Sequence, residues 1–171
     1  MLPAIFNLEV PAFNEWRHVE LLRSSILNCL GVAFKQYDSI EGIAMVAGEL
    51  MENAVKYGAW NDSNTARFSV YVNGGPQGLE VVVSNPVERR HAGSALKTLQ
   101  NIMLFLESFP DAKSAYQARI CAIANDATNV KESGLGLVRI AYEGNCHLDV
   151  HMTDDCTLAV RARTKFMQPS I

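Results

Sequence analysis

Gly48-Glu49-Leu50-Met51-Glu52-Asn53-Ala54-Val55-Lys56-Tyr57-Gly58 is the stretch on which the reading of this chain turns. On a helix, Glu49 and Asn53 are four apart and therefore neighbours on one face, with Lys56 three beyond Asn53. Ala47, Leu50 and Ala54 point the other way, toward a core. A carboxylate, an amide oxygen and an ammonium on one face make a donor set for Mg²⁺ and phosphate. Hard oxygen ligands suit Mg²⁺, which keeps waters and shares substrate phosphates. Lys56 offers phosphate a point charge, and Glu49 can accept a proton or position a nucleophile. Spacing alone favours a plainer reading, a solvated helix face carrying a Glu52–Lys56 pair.

Upstream of this stretch, Asp38 and Glu41 form a capping box, and Ile43, Ala47, Leu50 and Ala54 run as one apolar stripe to Tyr57. Before it, Val19, Leu22, Ile26, Leu30 and Ala33 recur at threes and fours, which predicts a helix over about residues 14–35. Phe6, Leu8 and Val10 alternate as a short first strand. Downstream, Gly58 stops the helix and Asn61-Asp62-Ser63-Asn64 reads as loop. Phe68, Val70 and Val72, a turn at Gly74-Gly75-Pro76-Gln77-Gly78, and Leu79 to Val83 make a hairpin. Asn85-Pro86 is expected to break its second strand, because proline brings no N–H. Two helices follow, over about 92–109 (Leu96, Leu99, Ile102, Met103, Leu106, closed by Pro110) and about 111–126 (Tyr116, Ile120, Ile123, Ala124). Gly134 opens a last helix to Tyr142, and His147 to Met152 and Thr157 to Arg163 alternate around an Asp154-Asp155 turn. Strands at start, middle and end with helices between predict an α/β (α+β) two-layer sandwich. The two hairpins make its sheet mixed, largely antiparallel, and covered by helices.

The 171 residues suit one domain, 1–171, and 49% hydrophobic residues exclude a disordered chain. Fifteen Lys+Arg against 18 Asp+Glu, with no run of like charge, give no footprint for nucleic acid or a membrane surface. The longest apolar runs, Ile102 to Leu106 and Ile43 to Ala47, fall far short of the ~20 residues of a membrane span. Met1-Leu2-Pro3-Ala4-Ile5-Phe6 lacks the basic and long apolar regions of a signal peptide, which makes a cytoplasmic protein the expectation. Cys29, Cys121, Cys146 and Cys156 are irregularly spaced without a CxxC pair, so buried reduced thiols are expected.

The order Glu-x-x-x-Asn-Ala-x-Lys-Tyr, from Glu49 to Tyr57, resembles the N box of the GHKL ATPase superfamily of gyrase, Hsp90, histidine kinases and MutL. Ser133-Gly134-Leu135-Gly136-Leu137 is similar to the family's G2 box, where a Gly-rich turn opening a helix lets backbone N–H groups approach phosphate. The two boxes stand in the family's order with a strand pair between them, and the resemblance spans Phe6 to about Arg163. It implies a Bergerat-type ATP-binding fold with ATP and Mg²⁺ as cofactors. Asn53 would coordinate the metal and Glu49 would be the catalytic residue. Nucleotide contacts would come from Asn53, Lys56, Tyr57, Ser133, Gly134, Leu135, Gly136 and Leu137.

The chain departs from the family's G1 box, Asp-x-Gly-x-Gly, and reads Ser84-Asn85-Pro86-Val87-Glu88. Asn85 in the Asp position can accept a hydrogen bond from adenine, without the charge assistance that roughly doubles such a bond. Glu132 replaces the first G2 glycine, and like charges about 4 Å apart repel by ~1 kcal/mol in water and ~4 kcal/mol at an effective dielectric near 20. Residues 87–131 make an elongated helical lid, whose Leu99, Met103, Leu106 and Tyr116 are expected to pack as core. These departures resemble the divergent SiaB-type subgroup of small anti-sigma-factor kinases. That likeness implies an ATP-binding regulatory kinase for Ser or Thr of a STAS-like anti-sigma-antagonist in a partner-switching pathway, and it leaves a homodimer open. The alternative is a catalytically inactive binding module of the same fold, a pseudo-kinase. The G1 losses and Glu132 favour that alternative, and the intact Glu49/Asn53 pair argues against it.

The other signals are weaker. His147, Asp149 and His151 share a strand face, but positions four apart lie ~13 Å from each other, too far for one metal ion. His18 reads as a surface residue, Arg89-Arg90-His91 as a solvated loop, and Arg161 with Arg163 as cover for an exposed sheet face. No Ser-His-Asp, Cys-His or zinc constellation stands out.

Overall fold

The structure, a computed structural model, describes residues 4–11, 16–33, 37–59, 67–75, 78–125, 134–153 and 155–164. Period-two alternation builds the sheet from β1 (Ala4–Pro11), β2 (Arg67–Gly75), β3 (Gly78–Pro86), β4 (Cys146–Met152) and β5 (Thr157–Thr164), in the order β1-β2-β3-β5-β4. Every pairing is antiparallel, so the expected sheet loses its mixed character among the described strands. Val70, Val72, Leu79, Val81, Val83, Leu148, Val160 and Ala162 are buried on the face that takes the helices. On the opposite face Asn7, Tyr71, Val82, Arg161 and Asp149 stand in register across all five strands. There Arg163 Nε donates to Glu80 at 2.8 Å and Arg161 lies 3.6 Å from the same carboxylate, as the alternation of the two arginines implies.

The helices α1 (Trp16–Ala33), α2 (Tyr37–Tyr57), α3 (Arg89–Glu107), α4 (Ala112–Asn125) and α5 (Leu135–Glu143) form the second layer. In α1 the stripe Val19, Ile26 and Leu30 is buried. Helix α2 is buried far beyond one stripe: Ile40, Ile43, Val46, Leu50, Met51 and Val55 are each at most 5% exposed. It earns that burial by touching α1, α5, β2 and β3 at once. At about 1.5–3 kcal/mol per fully buried large aliphatic side chain, these six remove on the order of 10–15 kcal/mol from water. The α5–β4 turn sits directly on this helix. A Cβ at Gly144 would lie 2.5 Å from Val46 Cγ2 and 2.6 Å from the Ile140 carbonyl oxygen.

Several local expectations are corrected. Strand β3 runs through Asn85-Pro86 and pairs Pro86 with Thr157. Past Ser84 it has left β2, and a proline is tolerated where a strand has a partner on one side only. Helix α2 begins at Tyr37, so Asp38 lies inside it and not at its cap. Helix α3 begins at Arg89, which places Arg89-Arg90-His91 in its first turn and not in a loop. Glu88 just before it accepts from Arg90 at 2.6 Å and lies 3.3 Å from His91 Nδ1, and Arg90 holds the Glu88 carboxyl below its usual range. Helix α4 turns Ala112, Ala115 and Tyr116 inward and leaves Ile120 41% exposed, because the two alanines let it close on α5. His18 is half-buried, and Cys29 and Cys121 are exposed. Residues Asn61 to Asn64, Pro76, Gln77, Glu132, Ser133 and Asp154 lie outside the described residues.

The lid lies on the core and its two helices add one buried residue to it, so the expectation that its apolar side chains pack as core is met only in part. Leu99, Ile102, Met103 and Leu106 of α3 lie against the main cluster, Ala115 of α4 is fully buried, and the Tyr116 ring is 5.2 Å from that of Tyr142. Asp111 caps α4 by accepting from the Ser114 N–H at 2.8 Å.

Two measurements check this packing. Gly144→Ala is expected to lower stability in urea by about 1–3 kcal/mol through overpacking, and an unchanged midpoint would contradict the close α5–α2 approach. Burial pushes the Cys146 thiol up to about 12. At pH 8 iodoacetamide should therefore alkylate the exposed Cys29 and Cys121 and spare Cys146 until the chain is unfolded.

Candidate functional site

Burial of the rest of α2 decides where its polar side chains go. With Leu50, Met51, Ala54 and Val55 drawn into the core, Glu49 and Asn53 are carried onto the flank that meets α5. A Cβ on Gly136, in the first turn of α5, would lie 2.7 Å from Glu49 Oε2 and 3.8 Å from Asn53 Nδ2. Glycine at this position leaves the Glu49 carboxylate the space it occupies. Farther along α5, Arg139 Nη1 donates to Glu49 Oε1 at 2.8 Å while its Nε donates to Glu143 Oε2 at 2.7 Å. The Glu49 side chain is 20% exposed. Partial burial, reinforced by the nearby Glu49 carboxylate and opposed by Arg23, raises the pKa of Glu52 on the same helix.

Asn53 Nδ2 is buried and has no hydrogen-bond partner among the described residues. An orphaned buried donor costs about 1–3 kcal/mol, so an acceptor placed against it would be stabilising. The amide's oxygen and nitrogen interchange by a simple flip, which allows an oxygen ligand to face the same spot. This orphaned amide beside a glycine at the N-terminal end of a helix fits the ATP and Mg²⁺ that the N-box and G2-box resemblance implies.

The remaining expected residues are spread around this centre. Gly134, at φ 60°, opens α5 in the left-handed conformation that glycine tolerates. A Cβ there would lie 2.8 Å from Ile102 Cδ1 and 3.4 Å from Arg119 Nη2, so both lid helices rest on the turn. The Arg119 guanidinium also lies 5.4 Å from the Phe105 ring centre. Asn85 is 4% exposed on the helix-facing side of β3, and its Nδ2 donates to the Pro86 carbonyl at 3.1 Å. The Ala59 N–H donates to that same carbonyl at 2.8 Å, which ties the end of α2 to the end of β3. Lys56 and Tyr57 are exposed in the last turn of α2, with Lys56 Nζ 4.8 Å from the tyrosine ring centre. Leu137 is buried in the core and anchors α5, Leu135 is half-buried, and Ser133 lies outside the described residues.

The structure thus brings Glu49, Asn53 and Gly136 together, sets Asn85 at the α2–β3 junction, puts Gly134 under the lid and leaves Lys56 at the margin. Sequence reasoning missed Arg139, Ile102 and Arg119. Arg139 had a signal: it is the single charged residue in the apolar run Leu135 to Ala141, three positions after Gly136 and so on its face of the helix. His147, Asp149 and His151 are exposed, and no group of three or more His, Cys, Asp or Glu among the described residues could hold a metal ion. No described helix is long and apolar enough to cross a membrane.

No protein-family model and no curated protein sequence matches this chain. Among solved structures, the crystal structure of the SiaB–SiaC complex from Pseudomonas aeruginosa contains a chain that superposes with a TM-score of 0.68 at 18% sequence identity. The match covers 94% of this chain and 89% of that one. What the two share is the fold. The likeness runs through the helical lid as well as the sheet, since so little of either chain is left outside it.

The turn at Gly134 is open to a direct check. Gly134→Ala is expected to cost about 1–2 kcal/mol in urea denaturation from left-handed backbone strain, with Ile102 forced to shift besides. Trimming the neighbour in Gly134→Ala/Ile102→Ala should not recover the strain, and a Gly134→Ala variant as stable as the parent would contradict the turn.

Proposed function

We propose that this chain is a cytoplasmic regulatory protein kinase of the GHKL type, which binds ATP and Mg²⁺ and phosphorylates Ser or Thr of a STAS-like partner in a partner-switching pathway. The observation that carries the reading is the meeting of Glu49, Asn53 and Gly136. It joins the N-box and G2-box residues, which are far apart in the chain, at one helix–helix contact that holds an unpartnered amide nitrogen. The structural likeness to a chain of the SiaB–SiaC complex supports a protein partner.

In this reading Asn53 holds the metal and the backbone N–H groups at Gly134, Leu135, Gly136 and Leu137 receive phosphate. Lys56 adds a positive charge from the end of α2, and Asn85 accepts from the adenine amino group. Mg²⁺ supplies charge neutralisation on the phosphates. Glu49 orients the partner hydroxyl. Phosphoryl transfer passes through a loose transition state that asks for positioning and charge stabilisation more than for covalent chemistry, so this short list of residues suffices.

A second reading, an inactive binding module, is favoured by the packing of Ile102 and Arg119 on Gly134 and by a neutral Asn85 in the adenine position. Titration calorimetry separates the two. Micromolar ATP binding that requires Mg²⁺ and is weakened at least about tenfold by Asn53→Ala, the loss of ~1.4 kcal/mol, is the expected result. No heat at millimolar ATP would overturn the kinase reading and leave the binding module.

A further inference from the structure

We infer that Arg139 is a positioning residue, which fixes the Glu49 carboxylate so that one oxygen is spent on the guanidinium and the other is presented to the acceptor. The inference rests on the kinase reading and extends it to a residue outside both boxes. Three distances carry it. Arg139 Nη1 holds Glu49 Oε1 at 2.8 Å, Glu143 Oε2 holds Arg139 Nε at 2.7 Å, and Glu49 Oε2 lies 2.7 Å from where a Cβ on Gly136 would stand. A glutamate has three side-chain torsions, and a free one samples many orientations. Here the guanidinium is pinned from both sides, by a residue one helical turn away on α5 and by Glu49 across the contact. Oε1 is therefore occupied, and Oε2 faces the corner formed by Gly136 and Asn53. In the transfer, the bond from the γ-phosphorus to the ADP leaving oxygen breaks as the acceptor oxygen bonds to phosphorus, and the acceptor's proton passes to Glu49 Oε2. A lysine at 139 could reach one carboxylate as a point charge but lacks the planar fork that serves both. The arrangement serves a water molecule in the acceptor position as it serves a hydroxyl, so the purified chain alone turns over ATP slowly.

The experiment follows release of labelled inorganic phosphate from γ-³²P-ATP with Mg²⁺ by the full chain, with ATP affinity measured in parallel. Arg139→Gln is expected to slow release at saturating ATP by about 10–100-fold while ATP affinity changes by less than about twofold, the pattern of lost orientation and not of lost binding. Arg139→Lys should restore part of the rate, and Glu143→Gln should lower it more mildly. In a Glu49→Gln background, Arg139→Gln should slow release no further, because Arg139 acts only through Glu49. Arg139→Gln at the parent rate, or a double variant slower than Glu49→Gln alone, overturns this inference and leaves the kinase reading standing. A parent chain that binds ATP with Mg²⁺ but releases no phosphate does the same. A parent chain that binds no ATP overturns both.

Discussion

Helix α2 is the element on which the rest of the structure depends, because it is covered on three sides. Sheet strands lie beneath it, α1 packs on one flank and α5 on the other. A helix so placed can expose few polar residues, and where it turns one inward that residue must find room and a partner. Glu49 and Asn53 are turned toward α5, and two features of α5 answer them. Gly136 provides the room, since any side chain there would strike Glu49. Arg139 provides the partner for one carboxylate oxygen. Burial of the apolar positions thus places the polar ones, and packing and chemistry are set by the same contact.

Much of this was readable in the sequence. Strand alternation gave the core-facing valines and leucines of β2, β3, β4 and β5, and spacing at threes and fours gave α1, α2 and the inner side of α3. The misses came where local rules met a neighbour. Proline is a strand breaker in isolation, yet Pro86 ends β3 inside the ladder because only one side of that strand is paired. The larger apolar residue Ile120 should face inward, yet small Ala112 and Ala115 do, because a close helix–helix approach rewards small side chains more than large ones at the contact. Helix spacing put Glu49, Asn53 and Lys56 on one face but could not say which neighbour that face would meet. The ion pair to Arg139 joins residues ninety apart, and no local pattern reports it.

The two glycines of Gly134-Leu135-Gly136-Leu137 do different work, which the motif alone does not separate. Gly134 is required by backbone conformation: at φ 60° a side chain is strained whatever space surrounds it. Gly136 lies within α5 and matters by proximity, since a side chain there would displace the Glu49 carboxylate from its present place. The following Leu137 and Val138 are buried and fix the helix to the core, so the position of Gly136 is set by hydrophobic packing. The glycine-rich turn therefore has a rigid end at Gly136 and an end at Gly134 whose surroundings belong to the lid.

That division bears on what the lid is for. Ile102 and Arg119 rest on Gly134, where the kinase reading needs backbone N–H groups to meet phosphate. Helix α3 contributes no fully buried residue, whereas α5 buries Leu137, Val138, Ile140 and Ala141. The contacts that hold α3 down are half-buried side chains, and the Arg119 guanidinium over the Phe105 ring joins the two lid helices to each other. Elements with few buried apolar contacts open at lower free energy than the core they cover. The fold thus joins a firm platform of α2, α5 and β3, carrying Glu49, Asn53, Gly136 and Asn85, to a more weakly held cover. The kinase reading requires that cover to yield at Gly134, and the binding-module reading requires it to stay. The difference between them lies at two places, the contacts of Ile102 and Arg119 on Gly134 and the neutral Asn85 on the platform.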